Sequence, residues 1–158
     1  RDLLLRRRPV SDLMTAPPRT ETSENRQVAA LPWRRGEKGL EVMMITSRET
    51  RRWVIPKGGR MVGKTDPQAA AQEAYEEAGV QGETLDTPIG HFRYGKRLKT
   101  GAVQACVVAV YPLEVLIQLG AWPEDLQRER RWMPQAEAAD AVHEDDLAKL
   151  IRDFRPAT

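Results

Sequence analysis

Three glutamates in one short stretch are the residues of this chain best placed to do chemistry. Glu73, Glu76 and Glu77 follow the spacing i, i+3 and i+4, which places them on one face of an α-helix if the segment is helical. Like charges at this spacing repel one another, and a divalent cation would remove that repulsion. Because oxygen-only ligands select a hard ion, the trio predicts a site for Mg²⁺ or Mn²⁺ on which the three carboxylates converge. A solvated, glutamate-rich helix face is the alternative interpretation of the same residues.

The surrounding residues predict the helix that must carry these glutamates. Thr65 or Asp66 can cap its start, Pro67 suits its first turn, and Gly79 can end it. A cluster of glycines in residues 58–63 predicts a loop before the helix. On a second helix face, four alanines form a small-residue stripe that can pack closely on a sheet: Ala70, Ala71, Ala74 and Ala78.

The rest of the chain predicts a sheet and closing helices. Apolar runs predict strands at residues 28–33, 40–46, 53–55, 89–94, 102–115 and 130–133. Two further helices are predicted at 134–142 and 144–154. Strands in runs, with a central helix and helices at the end, favour the α+β class. The prolines and polar residues of 1–26 predict a loosely held N-terminal tail, which leaves residues 27–158 as the single folded domain.

Composition narrows the class of partner. The chain has 158 residues, with 25 Lys and Arg against 23 Asp and Glu, for a net charge of +2. A protein so nearly neutral has no overall field that would attract nucleic acid or an acidic membrane, so a local cluster of residues must hold any anion that it binds. The single cysteine, Cys106, suits a reducing compartment, and no apolar run approaches the ~20 residues of a membrane span. We therefore expect a cytoplasmic protein, and the sequence leaves its oligomeric state open.

The stretch from Pro56 to Val80 resembles the signature motif of the Nudix hydrolase family, the Nudix box. Seven positions match at the family's spacing, and they are Gly58, Glu73, Ala74, Glu76, Glu77, Gly79 and Val80. Two positions depart from it, since Lys64 stands in place of the first glutamate and Gln72 in place of the arginine. The resemblance extends over residues 27 to about 154. It implies a Nudix-like mixed β-sheet sandwiched between helices, with the box as a loop-helix-loop motif.

The resemblance also implies a mechanism and a set of site residues. It makes the chain a Mg²⁺-dependent or Mn²⁺-dependent hydrolase of a diphosphate linkage, with Glu73, Glu76 and Glu77 as catalytic metal ligands. A backbone carbonyl near Lys57 or Gly58 would add a further ligand. The general base is left unassigned. Glu129 is one candidate, and the alternative is that it is simply an exposed strand residue.

The two departures from the motif affect positioning. In the family the box arginine braces a metal-binding glutamate by a salt bridge, and Gln72 keeps an amide donor but loses the charge and the fork geometry. We expect weaker positioning and an active site. Lys64 is either a contact for a polyphosphate anion or a solvated loop residue.

Within the family the chain looks most like the diphosphoinositol-polyphosphate and diadenosine-polyphosphate hydrolase group. The segments that carry this likeness are 46–48, 52–59 and 128–132. The predicted substrate-binding residues are Ser47, Arg48, Arg52, Lys57, Gly58, Gly59 and Arg60. Two alternatives remain: a pyrophosphohydrolase of nucleotide sugars, nucleoside triphosphates or capped RNA, and a catalytically weak polyphosphate-binding module.

Overall fold

A computed structural model describes residues 24–157 of the chain. Within this part the helices are α1 (Asp66–Ala78), α2 (Gln135–Ala141) and α3 (Asp145–Asp153). The strands are β1 (Asn25–Gly36), β2 (Gly39–Thr46), β3 (Trp53–Val54), β4 (Lys57–Gly59), β5 (Val80–Thr84), β6 (Gly90–Arg97), β7 (Val103–Gln118) and β8 (Arg130–Pro134). The strand and helix segments expected from the sequence are all present.

The strands of the described residues form one sheet, in which β3, β2, β1, β7 and β5 lie side by side in that order. Antiparallel ladders join β2 to β1, to β3 and to β8, and β4 pairs antiparallel with the first part of β1. A two-residue turn connects β1 to β2, since Gly36 pairs with Gly39. The pairing of β4 with β1 brings the glycine segment beside the centre of the sheet.

The two faces of the sheet carry separate hydrophobic cores. Along β1, Val28 and Ala30 point into the core that contains the alanines of α1. The alternate residues Ala29 and Leu31 point into the opposite core, which contains Leu147 of α3 and residues of α2. Successive side chains of a strand point to opposite faces, so burial of both sets places helices on both sides. The predicted α+β class and the helix–sheet–helix sandwich are confirmed.

Helix α1 begins and ends as its sequence predicts. The Thr65 hydroxyl accepts a hydrogen bond from the Gln68 backbone N–H at 3.2 Å, and the Gln68 side chain accepts one from the Thr65 N–H at 2.9 Å. This capping box satisfies two N–H groups at the helix start. Gly79 ends the helix with φ 68°, in the left-handed region that favours glycine. The observed stripe of buried alanines differs from the predicted one in a single member. Ala69 is fully buried in place of Ala71, which is only half-buried.

Two short strands were not predicted. β4 has the sequence Lys-Gly-Gly and β5 has Val-Gln-Gly-Glu-Thr, so neither contains an apolar run. Both exist because a longer neighbour pairs with their backbones, β1 with β4 and β7 with β5. Residues 1–23 of the predicted tail, which spans 1–26, lie outside the described residues. The last two residues of that range, Asn25 and Arg26, already belong to β1.

The chain divides into two compact units. The larger one comprises residues 26–94 and 107–157 and contains both hydrophobic cores. The smaller one includes Gly95–Cys106, where a turn is closed by a hydrogen bond from the Leu98 N–H to the Ala102 carbonyl at 2.8 Å. Cys106 is buried. No helix among residues 24–157 is long and apolar enough to cross a membrane.

Candidate active site

Two of the three predicted glutamates form a buried pair. Glu73 and Glu77 lie one turn apart on α1, their exposed fractions are 8% and 7%, and their carboxyl groups are hydrogen-bonded. Burial removes water from both groups, and it raises the pKa of Glu77 to about 8. Burial also raises the pKa of Glu73, although the hydrogen bond from Glu77 opposes this effect. Both shifts follow from burying two acidic groups side by side, so the pair holds a proton more readily than two exposed carboxylates would.

Strand β4 holds its backbone against this pair. The Lys57 N–H donates to Glu77 Oε1 at 3.2 Å. At Gly58 an added Cβ would overlap Glu73 Oε2, so this position must be glycine for the carboxylate to approach the backbone. The predicted association of Gly58 with the glutamates is therefore present as direct contact.

The third glutamate has a different partner. Glu76 is half-buried, and its Oε2 accepts a 2.6 Å hydrogen bond from the Gln72 side-chain amide. Among residues 24–157 no three Asp, Glu, His or Cys side chains form a group close enough to hold one ion. The expectation that all three carboxylates converge is thus not met among the described residues, where Glu76 is paired with Gln72. The role of Glu76 as a ligand stays a prediction.

The donor set of the pair fits a hard divalent cation. Two buried carboxylates repel each other, and a proton shared between them removes that repulsion. A divalent cation that replaces the proton would stabilise the pair in the same way. Glu73 and Glu77 offer only oxygen atoms, which are the ligands that Mg²⁺ and Mn²⁺ prefer. The glutamates and Gly58 stay the predicted metal ligands.

An arginine that the sequence interpretation gave no role lies against the pair. Arg128 has a side chain only 9% exposed and places Nη2 3.7 Å from Glu77 Oε1. Its Nε forms a 2.7 Å ion pair with Glu124, and its Nη1 donates to the Thr46 carbonyl at 3.1 Å. Residue 128 belongs to a segment that carried the likeness to the hydrolase group, but nothing in the sequence links it to a glutamate 51 positions away.

A half-buried arginine, Arg130, fixes the end of α1. Arg130 donates to the carbonyls of Ala78 at 2.9 Å and Gly79 at 3.3 Å, and its guanidinium lies 3.8 Å from the ring centroid of Trp122. The Trp122 indole N–H donates to the Glu77 carbonyl at 3.1 Å. A cation and two donors at the C-terminus of a helix satisfy its last carbonyls and stabilise its dipole. These contacts hold the turn on which Glu77 lies.

The predicted substrate-binding residues between β2 and β3 form one ordered loop. The Ser47 hydroxyl accepts from the Arg52 backbone N–H at 3.0 Å and contacts the Thr50 hydroxyl at 2.6 Å, so it is used within the loop. Arg48 and Arg52 are exposed, and Arg48 donates to the Gln127 side chain at 3.1 Å. The loop therefore presents two guanidinium groups to solvent.

The basic residues around the glycine segment have separate surroundings. Arg60 is exposed and forms a 3.0 Å ion pair with Asp66 at the start of α1. The Lys57 ammonium lies 4.6 Å from the ring centroid of Tyr94. Gly59 is exposed, with open space where a side chain would lie, and Lys64 is exposed in the following turn. The roles of all these residues toward a substrate stay predictions.

Glu129, the candidate general base, is exposed. Its side chain is 70% exposed and lies 3.3 Å from Arg51 in an ion pair. Arg51 itself has a positive φ of 58°, which is uncommon for a residue with a side chain. The participation of Glu129 as a general base stays a prediction.

Known proteins with similar sequences include Nudix hydrolases. The chain is 35% identical over 125 residues to Nudix hydrolase 13, mitochondrial, from Arabidopsis thaliana, a match that covers 75% of this chain and 61% of that protein. It is 32% identical over 125 residues to human diphosphoinositol polyphosphate phosphohydrolase 3-beta, covering 73% of this chain and 72% of that protein. The chain thus spans only about three fifths of the length of three Arabidopsis relatives, Nudix hydrolases 12, 13 and 16.

Solved structures share the fold. The structure of a C. elegans Ap4A hydrolase binary complex superposes with a TM-score of 0.60 at 18% identity, covering 81% of this chain and 93% of that one. At this identity the likeness is evidence of fold alone. A family model of the NUDIX domain matches residues 24–154. That match takes in every described helix and strand, and so the chain belongs to the NUDIX family.

Proposed function

We propose that this chain hydrolyses a phosphoric anhydride bond, a diphosphate linkage, with Mg²⁺ or Mn²⁺ as its cofactor. The observation that carries the proposal is the buried pair of Glu73 and Glu77 against the backbone of Gly58. Two acidic groups buried together are unfavourable for stability, and apolar residues of similar size would pack there without that penalty. Such an arrangement is typical of a site whose ligand removes the cost.

The chain's own residues prepare this site. Glu73 and Glu77 supply carboxylate oxygens, and the Lys57 N–H fixes the orientation of the Glu77 carboxylate. A bound divalent ion would supply charge neutralisation on the diphosphate and activation of a water for attack at phosphorus. Because burial holds the ligands in a low-dielectric setting, their attraction for the cation is strengthened.

The proposed substrate is a densely phosphorylated small molecule, a diphosphoinositol polyphosphate or a dinucleoside polyphosphate. The exposed guanidinium groups of Arg48 and Arg52, with that of Arg60 beside the glycine segment, can each contact a phosphate. The name of the human relative, a diphosphoinositol polyphosphate phosphohydrolase, supports the first class. That of the C. elegans neighbour, an Ap4A hydrolase, supports the second. We place this reaction in the cytoplasm, on the composition alone.

A substrate panel tests the proposal. Release of phosphate is measured with and without Mg²⁺ for a diphosphoinositol polyphosphate, a dinucleoside polyphosphate, a nucleotide sugar, a nucleoside triphosphate and a capped RNA. We expect Mg²⁺-dependent turnover, fastest on the first two. Binding of these ligands without turnover would identify a polyphosphate-binding module instead, and preference for the nucleotide sugar would overturn the substrate class.

A further inference from the structure

The position of the family's bracing arginine is occupied by Gln72, and the structure shows what Gln72 does. Its amide donates to Glu76 at 2.6 Å. Position 72 therefore offers no charge to the buried pair, because glutamine is neutral and its amide donates to the glutamate outside the pair. Glu77 must therefore obtain any cationic partner from elsewhere.

Arg128 has the properties that such a partner needs. It is nine-tenths buried, so its charge is poorly screened by water. Three groups fix its guanidinium: Glu124 at 2.7 Å, the Thr46 carbonyl at 3.1 Å and Glu77 at 3.7 Å. A planar guanidinium held at several points is pre-organised, so it can orient a carboxylate without a further loss of side-chain freedom.

The surrounding backbone supports the same role. The Glu124 N–H donates to the Glu76 carbonyl at 3.1 Å, which ties the segment before β8 to helix α1. The Glu129 N–H donates to the Thr46 hydroxyl at 2.9 Å, which ties the same segment to the end of β2. Arg128 thus lies on a segment anchored at both ends beside the pair.

We propose that Arg128 is the positioning residue for the metal-binding carboxylate of Glu77, in place of an arginine at position 72. The orienting task is divided in this chain: Gln72 holds Glu76 through a neutral hydrogen bond, and Arg128 holds Glu77 through charge. This inference rests on the proposed function, because it concerns the carboxylate that the proposed metal site uses.

Binding of Mn²⁺ alone tests the inference without any substrate. The dissociation constant for Mn²⁺ is measured by electron paramagnetic resonance on the wild type and on Arg128→Gln. Loss of a group that orients a metal ligand weakens metal affinity by about 10–100-fold, and we expect a weakening in that range. Arg131→Gln is the matched control, because Arg131 also lies 3.7 Å from a glutamate, Glu137, but is 57% exposed, and its affinity should equal that of the wild type.

Rescue separates positioning from a purely structural role. In Arg128→Gln, adding Gln72→Arg restores a guanidinium beside the helix glutamates, so Mn²⁺ affinity should recover part of the loss, because residues in one network are energetically coupled. In the wild-type background, where Arg128 already orients Glu77, Gln72→Arg should raise the affinity by a smaller factor than it does in Arg128→Gln. An unchanged dissociation constant in Arg128→Gln, or equal effects of Gln72→Arg in both backgrounds, overturns the inference.

A further variant covers the case in which Arg128→Gln does not fold. Arg128→Lys keeps the charge but cannot reach Glu124, Thr46 and Glu77 together, so Mn²⁺ affinity should fall by a smaller factor, and an affinity equal to that of the wild type would refute the role. If the wild type itself binds no Mn²⁺, the proposed function fails. If it binds Mn²⁺ and the Arg128 variants bind it equally well, only the present inference fails.

Discussion

Replacing Glu77 by glutamine should make the metal-free protein more stable at alkaline pH while it abolishes activity. The pKa of Glu77 is about 8 in the folded chain, against 4.5 for an ordinary glutamate. Below pH 4.5 the group is protonated in both states and has no effect. Between pH 4.5 and 8 the unfolded chain releases the proton and the folded chain keeps it, so stability falls as pH rises through this window.

The structure sets the size of the effect. A pKa difference of one corresponds to about 1.4 kcal/mol, so the window from 4.5 to 8 gives an upper bound of about 5 kcal/mol for Glu77. Glutamine does not titrate, and its side-chain oxygen can still accept from the Lys57 N–H. Between pH 5 and pH 8.5 the wild type should therefore lose a few kcal/mol of unfolding free energy that Glu77→Gln retains.

Urea denaturation in the presence of EDTA measures this difference. The free energy of unfolding is determined at pH 5 and at pH 8.5 for the wild type, for Glu77→Gln and for the exposed control Glu137→Gln. The control should keep the pH dependence of the wild type. Saturating Mg²⁺ should restore the stability of the wild type at pH 8.5 and leave Glu77→Gln unchanged. The same pH dependence in Glu77→Gln and the wild type would refute the assignment of a buried, protonated Glu77.

Three more outcomes test the site. Glu73→Gln should lower turnover by at least about 100-fold with little effect on folding, since one strong transition-state interaction is lost; near-normal turnover would contradict the assignment. Gly58→Ala should displace the Glu73 carboxylate and raise the Mg²⁺ concentration for half-maximal rate. Gly120→Ala is the control and should leave that concentration unchanged, because a Cβ at Gly120 meets open space. Equal behaviour of the two variants would exclude a special role for the close contact between Gly58 and Glu73. Arg48→Gln combined with Arg52→Gln should raise KM more for highly phosphorylated substrates than for nucleotide sugars. The rise should be smaller at high salt, because both side chains are exposed and salt screens their charges. An equal rise for both kinds of substrate would argue against the proposed substrate class.

Much of the fold could be predicted from the sequence, because those features depend on neighbours along the chain. Helix α1 is specified by the Thr65 cap, by the alanine stripe and by Gly79, all within 15 residues. The spacing of Glu73 and Glu77 fixes their common helix face wherever the helix lies. The apolar runs of β1, β2 and β7 likewise predict strands, because alternate or continuous burial leaves its pattern in the residue types.

The tertiary structure alone decided how the site is completed. The polar strands β4 and β5 form because long neighbours pair with them, and only the pairing of β4 with β1 brings Gly58 to Glu73. Arg128 reaches Glu77 across 51 positions because β8 pairs with β2, which places the preceding segment beside α1. Contacts of this kind depend on which elements pack together, and local sequence patterns do not encode that choice.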